Sequence, residues 1–364
     1  MKKLIIVFLS LVILTSALTG CRRQERTAPG AEITRDNIKV GFVFVGSVGD
    51  GGYTWTHNQG RLAVEAMGIP TLFLENIPGN ADAERAIREL IAQGANVIYT
   101  NSFGHMDWTY RVAEEFPNVI FGHCSGFRMR ENMSNFFGRV YQARFLTGIA
   151  AGYRTQTNRI GYVAAHPIPE VIRGINAFTL GVRSVNPDAV VEVIWTNTWF
   201  NPADEMAAAF TLIDRGADVL AQHQDSTATQ MAAQQRGVFA IGYNAPTPNA
   251  APDAYLTAAL FHWEVFYVDD VNRILDGTWE PRSFWEGMDA GMVSIDTLTP
   301  LNDPRAQPEI DRVTAKILSG SFDPFTGPLR DQNGVERVPA GVIMTDAEKL
   351  SINWFVEGVI GVIP

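Results

Sequence analysis

The chain is poor in several of the groups that usually announce chemistry. It has two cysteines, Cys21 and Cys124. If the first is used at the N-terminus as argued below, no intramolecular disulfide can form. Cys124 follows the strand-like run Val119–Phe121 and reads as a small buried residue rather than a nucleophile. No stripe of Lys and Arg occurs and the net charge is -10, which excludes nucleic acid as an expected partner. The six histidines are scattered, with no H-E-x-x-H and no paired cysteines, so no metal is expected. The loop Gly46–Gly52 lacks the dinucleotide pattern, because Thr54 stands three places after Gly51. No Lys-Ser/Thr pair follows it, and Asp50 inside it would repel phosphate. In Gly122-His-Cys-Ser-Gly126 the serine is one place off the nucleophile elbow. No nucleophile–base pair can be assembled, and the chain is expected to be neither an enzyme nor a cofactor carrier. After about Ile38 there is no long apolar run of the ~20 residues a membrane helix needs.

The N-terminus does carry a pattern. Met1-Lys2-Lys3 precedes an apolar run, Leu4 to Leu18, in the manner of a secretory signal. Leu18-Thr19-Gly20-Cys21 matches a bacterial lipobox, in which Cys21 is diacylated and becomes the mature N-terminus. The plainer alternative is an ordinary signal peptide that contains a cysteine. Acyl chains contribute ~0.8 kcal/mol per buried methylene to membrane attachment. Residues 1–20 are thus expected as signal peptide and 21–36 as a polar, lipidated tether. The expected location is the bacterial cell membrane, with the protein lipid-anchored and facing the periplasm or the cell exterior.

The rest of the chain contains a duplication. Ile38–Val45 resembles Asn158–Ala165, with Gly41 matching Gly161 at an offset of 120. Ala81–Ile98 resembles Ala203–Leu220 at an offset of 122, and Val119–Gly122 resembles Phe239–Gly242 at 120 again. Each copy reads strand, helix, strand, helix, strand. Ile38–Val45 is a short β-branched run suited to a strand buried on both faces. Ala86, Ile87, Leu90 and Ile91 form one helical face, and Gly94 sits where a helix C-cap glycine belongs. Alternating strands and helices predict two α/β lobes with doubly wound parallel sheets.

In such sheets ligands bind beyond the carboxyl ends of the strands. The duplication therefore sets loops against each other across a cleft. Gly46–Thr56 faces His166–Glu170, and Ile77–Asn80 faces Trp199–Pro202. Asn101-Ser-Phe103 faces His223-Gln-Asp225, and His123-Cys-Ser125 faces Tyr243-Asn-Ala245. The expected ligand contacts are Asp50, Tyr53, Trp55, Asn58, Ser102, Phe103, Trp199, Phe200, Asp225 and Asn244, with Trp263 added from the strand end that follows. These loops hold aromatics, neutral hydrogen-bonding groups and a few carboxylates, and no Lys or Arg. They suit a flat, polar, uncharged molecule stacked between rings, not a phosphate. Plainer roles fit several of the same residues. Trp199 and Phe200 fit lobe-interface packing, Trp55 a core cap, Asp225 a helix N-cap and Asp50 a turn.

Val40-Gly-Phe-Val with Asp50–Ala63, Pro167–Phe178, Ser184–Pro187 and Asn197–Phe200 resembles the basic membrane protein family of ABC-transporter substrate-binding lipoproteins, over nearly the whole mature chain. The resemblance implies a type I periplasmic-binding-protein fold, whose two lobes are joined by a hinge that the chain crosses more than once. Residues 37–155 with about 252–280 are then expected in the first lobe, and 156–251 with about 281–364 in the second. It also implies a purine base, adenine-like, or a nucleoside as ligand, ABC permease subunits as partners, and a monomer. The family's ribose-linked features are altered here: Gly242-Tyr-Asn244 replaces a Gly-Val-Asp turn, and no Lys follows Thr257-Ala258. That favours a free base. A ligand-sensing receptor, or less readily a nucleoside hydrolase, is the alternative from another class.

Overall fold

The computed structural model describes residues 33–364. Cys21 and the signal and lipobox readings lie outside them. The elements run β1 (Val40–Val43), α1 (Tyr53–Ala66), β2 (Thr71–Leu74), α2 (Ala81–Ala92), β3 (Val97–Thr100), α3 (Met106–Glu115), β4 (Ile120–Cys124) and β5 (Met133–Gly138). There follow α4 (Tyr141–Arg154), β6 (Arg159–Ala164), α5 (Pro169–Val185), β7 (Val190–Trp195), α6 (Pro202–Asp214), β8 (Val219–His223), α7 (Ala228–Arg236), β9 (Phe239–Asn244) and β10 (Tyr255–Phe261). The last third holds α8 (Glu264–Leu275), β11 (Ser283–Glu286), β12 (Val293–Ile295), α9 (Ala306–Leu318), β13 (Leu329–Arg330), β14 (Glu336–Val338), α10 (Asp346–Leu350) and β15 (Val359–Ile360).

Among the described residues two large sheets form, in the orders β2-β1-β3-β4-β5-β11 and β15-β7-β6-β8-β9-β10-β12. All pairings in them are parallel except β10 with β12. The duplicated segments occupy equivalent places, so each sheet reverses direction beside its first strand, at β1/β3 and at β6/β8. The central strands β1, β3, β4 and β8 are buried along their whole length, as sheets covered by helices on both faces require.

The helix boundaries repeat as well. Asn80 and Asn201 accept hydrogen bonds from the backbone of Asp82 and Asp204 at the starts of α2 and α6. Both helices end on a left-handed glycine, Gly94 (φ 92°) and Gly216 (φ 96°). The next amide in each returns to an earlier carbonyl, Ala95 to Leu90 and Ala217 to Leu212.

The division of the C-terminal half differs from expectation. β10 pairs in parallel with β9 and extends the second sheet, whereas it was expected in the first lobe. β11 was expected in the second lobe and instead pairs with β5 at the edge of the first sheet. α4 packs on α5 in the second lobe, while α8 packs on α1 in the first. An apolar run marks a strand but not the sheet it joins, so these assignments needed the observed pairing. The chain crosses between the lobes after β5, after β10 and between β11 and β12.

Candidate functional site

The carboxyl ends of the two sheets face one another across a partly open cavity. Val45, Tyr53, Asn101, Ser102, Phe103 and Ser125 line it from the first lobe, and Glu170, Trp199, His223, Asp225 and Tyr243 from the second.

The first-lobe wall is organised by Asn101, which follows β3. Its Oδ1 accepts from the Val45 amide at 2.9 Å, and its carbonyl accepts from the Tyr53 hydroxyl at 2.5 Å. The loops after β1 and β3 are thereby tied together and the Tyr53 ring is held against the cavity. Ser102, in extended conformation, opens the short 3-10 turn Phe103–His105. Ser125 follows β4 with φ 70°. Its hydroxyl crosses the cleft to donate to Glu170 Oε2.

In the second lobe Pro169 starts α5 and places Glu170 in its first turn. Glu170 Oε1 lies 3.3 Å from Nε2 of His223, the last residue of β8. The Tyr243 hydroxyl lies 3.2 Å from the same nitrogen. Burial, opposed by Glu170, pushes His223 down to about 4, so the ring is neutral near pH 7. Trp199 packs edge-on to His166 at 4.8 Å, and its carbonyl accepts the Asp225 amide at 2.9 Å. The Asp225 carboxylate accepts no hydrogen bond from any of the described residues. Burial first, then the nearby Asp50, Glu205 and Glu170, push this carboxyl well above its usual range.

The structure brings Tyr53, Ser102, Phe103, Trp199 and Asp225 together in the cavity, out of the residues expected there. It places the others elsewhere. Asp50 accepts three backbone amides, from Gly52, Thr54 and Trp55, at 2.8–2.9 Å, and so secures the start of α1. Trp55 and Asn58 lie on α1 faces away from the cavity, because Tyr53 and His57, four residues apart, take the inward face. Asn58 instead accepts from Arg61 Nε at 2.7 Å. Phe200 turns outward and is 49% exposed. Trp263 is fully buried between His57 (4.1 Å) and Phe261 (4.5 Å), behind Tyr53. Asn244 is buried in a left-handed conformation at the end of β9, outside the lining. Asn101, Ser125, Glu170, His223 and Tyr243 lie in the cleft-facing loops of the duplication and line the cavity, but are not among the expected contacts. Their position at the carboxyl ends of the strands is the available signal.

The family profile described as "ABC transporter substrate-binding protein PnrA-like" matches residues 37–322. The chain belongs to the Bmp family of ABC transporter substrate-binding proteins. This Bmp protein is 42% identical over 333 residues to a purine-binding protein of Brucella abortus, covering 91% of this chain and 95% of that one. It is 38% identical over 315 residues to a candidate ABC transporter glucose-binding protein of Haloferax volcanii, covering 86% and 80%. A solute-binding protein of an ABC transporter system from Aeropyrum pernix shares the fold, with a TM-score of 0.70 at 17% identity over 79% of this chain and 92% of that one. The Bmp family consists of substrate-binding proteins rather than enzymes, and the type I binding-protein fold is the one that the resemblance implies.

Proposed function

We propose that the protein captures a purine base in the cavity between its lobes and hands it to the permease of an ABC importer. The observation that carries this reading is the Asp225 carboxylate, buried at the cavity wall with no donor among the described residues. It is an acceptor placed to receive N–H groups from a ligand. Tyr53, Phe103, Trp199 and Tyr243 supply flat apolar walls, which suit a planar ring with hydrogen-bonding groups on its edge. A sugar would need polar partners around its whole rim. The Brucella relative, with the higher identity, is named for purine binding. A free base is preferred over a nucleoside because Asn244, at the position linked to ribose, does not reach the cavity.

The reading includes Cys21 as a lipid anchor, residues 22–36 as the tether, and a monomer at the bacterial cell membrane facing the periplasm or the exterior. Thermal-shift and calorimetric titration with adenine, hypoxanthine, adenosine and glucose test the ligand. Adenine or hypoxanthine should raise Tm through mass action. A response to glucose alone, or to none of the four, defeats the reading. Mass spectrometry of the membrane-extracted protein tests the anchor, which an unmodified Cys21 would refute.

A further inference from the structure

Arg144, in the first turn of α4, is fully buried. Its guanidinium lies 3.7 Å over the Tyr243 ring and 5.6 Å from that of Tyr162. Nε and both Nη atoms find no hydrogen-bond partner among the described residues, and none of the described carboxylates forms an ion pair with them. The Tyr243 face takes up part of the charge. It leaves a cation with five N–H groups, removed from water and without a counter-charge, which is among the costliest arrangements in a protein interior.

Two more buried, unpartnered atoms stand beside it, Tyr162 Oη and His223 Nδ1. All three groups converge on Gly174 of α5. A β-carbon there would lie 3.6 Å from His223 Nδ1 and 3.8 Å from both Arg144 Nε and Tyr162 Oη. These are ordinary contact distances, so the missing side chain leaves a methyl-sized space walled by polar atoms that have no partners.

We propose that this space holds a small monovalent anion of chloride's size and charge, bound by Arg144, Tyr162 and His223. A water molecule would accept about two of the available hydrogen bonds and supply no charge. An anion accepts from all three groups and neutralises the guanidinium. His223 can present Nδ1–H in either of two ways. Its Nε2 can accept from the Tyr243 hydroxyl in the neutral tautomer, or donate to Glu170 in the charged form. The anion then lies behind His223 and Tyr243, which form the ligand-cavity wall. It is separate from the ligand cavity and independent of which ligand that cavity takes.

Crystals of the purified protein soaked in bromide should give an anomalous peak beside Gly174, within hydrogen-bonding reach of Arg144. The wild-type Tm should be higher in chloride than in gluconate at equal ionic strength. Arg144→Met, which keeps the packing of the stem, should remove that difference. Gly174→Ala gives the sharpest contrast. With an anion in place, the methyl group evicts it, the peak disappears, and Tm falls in chloride. With an empty space, alanine replacing glycine inside a helix raises Tm. Density without anomalous signal, equal Tm in the two salts, or a more stable Gly174→Ala variant would overturn the proposal.

Discussion

Gly52 and Asp225 meet backbone to backbone across the cleft: a β-carbon at Gly52 would overlap the Asp225 carbonyl oxygen. Gly52 precedes α1 in the first lobe, and Asp225 follows β8 in the second. The closed arrangement of the lobes therefore depends on a residue without a side chain at this point.

Gly52→Ala should oppose closure while leaving each lobe intact. Overpacking costs ~1–3 kcal/mol, which corresponds to roughly a 5- to 150-fold loss of ligand affinity. Calorimetric titration reads the loss. Small-angle scattering should show a larger radius of gyration for the ligand-bound variant than for ligand-bound wild type. Unchanged affinity would mean that ligand capture does not need this approach of the lobes.

The Ser125–Glu170 hydrogen bond ties the lobes beside the cavity. Hydrogen bonds to charged groups contribute ~1.5–3 kcal/mol. Ser125→Ala should weaken ligand binding by ~10-fold, mostly through faster dissociation, with little change in the Tm of the ligand-free protein. Stopped-flow measurement of release checks the rate. A large Tm loss without ligand would show instead that the bond serves folding.

Asp225→Asn should weaken purine binding by ~10-fold or more while stabilising the ligand-free protein. The native carboxyl is held well above its usual 3.8 by burial and neighbouring carboxylates. The folded state therefore binds more protons than the unfolded one between the two pKa values, and stability falls as pH rises through that window. In Asp225→Asn that fall should be shallower. Tm measured from pH 4 to 8 with both proteins decides it, and parallel curves would contradict the assignment.

His105 has the opposite sign. It is fully buried, hydrogen-bonded to the Ile77 carbonyl at 2.8 Å, and pushed down to about 4 by burial. Its folded pKa lies below the unfolded 6.5, so its neutral form favours folding, and that contribution is lost as pH falls from 6.5 toward 4. The loss is on the order of 3 kcal/mol. His105→Gln should be less stable than wild type near pH 7 but lose less stability over that range, which acid titration of Tm measures. An equal loss in both proteins would show that His105 does not contribute.

Much of the architecture was readable from local pattern. The duplicated segments, matched at offsets of 120 and 122, carried the alternation of strands and helices in both lobes, because hydrophobic periodicity and glycine C-caps such as Gly94 and Gly216 are set by neighbouring residues. The same pattern points to Tyr53, Ser102, Phe103, Trp199 and Asp225 as cavity residues, since the carboxyl ends of the parallel strands must face the cleft. Long-range contact decided the rest. That β11 joins the edge of the first sheet depends on β5, about 150 residues earlier in the chain. Whether Asp50 faces a ligand or its own helix amides depends on the turn geometry. The meeting of Arg144, Tyr162, Gly174 and His223 joins four separate elements, and no spacing along the chain encodes it, because side-chain direction is fixed only when the helices pack.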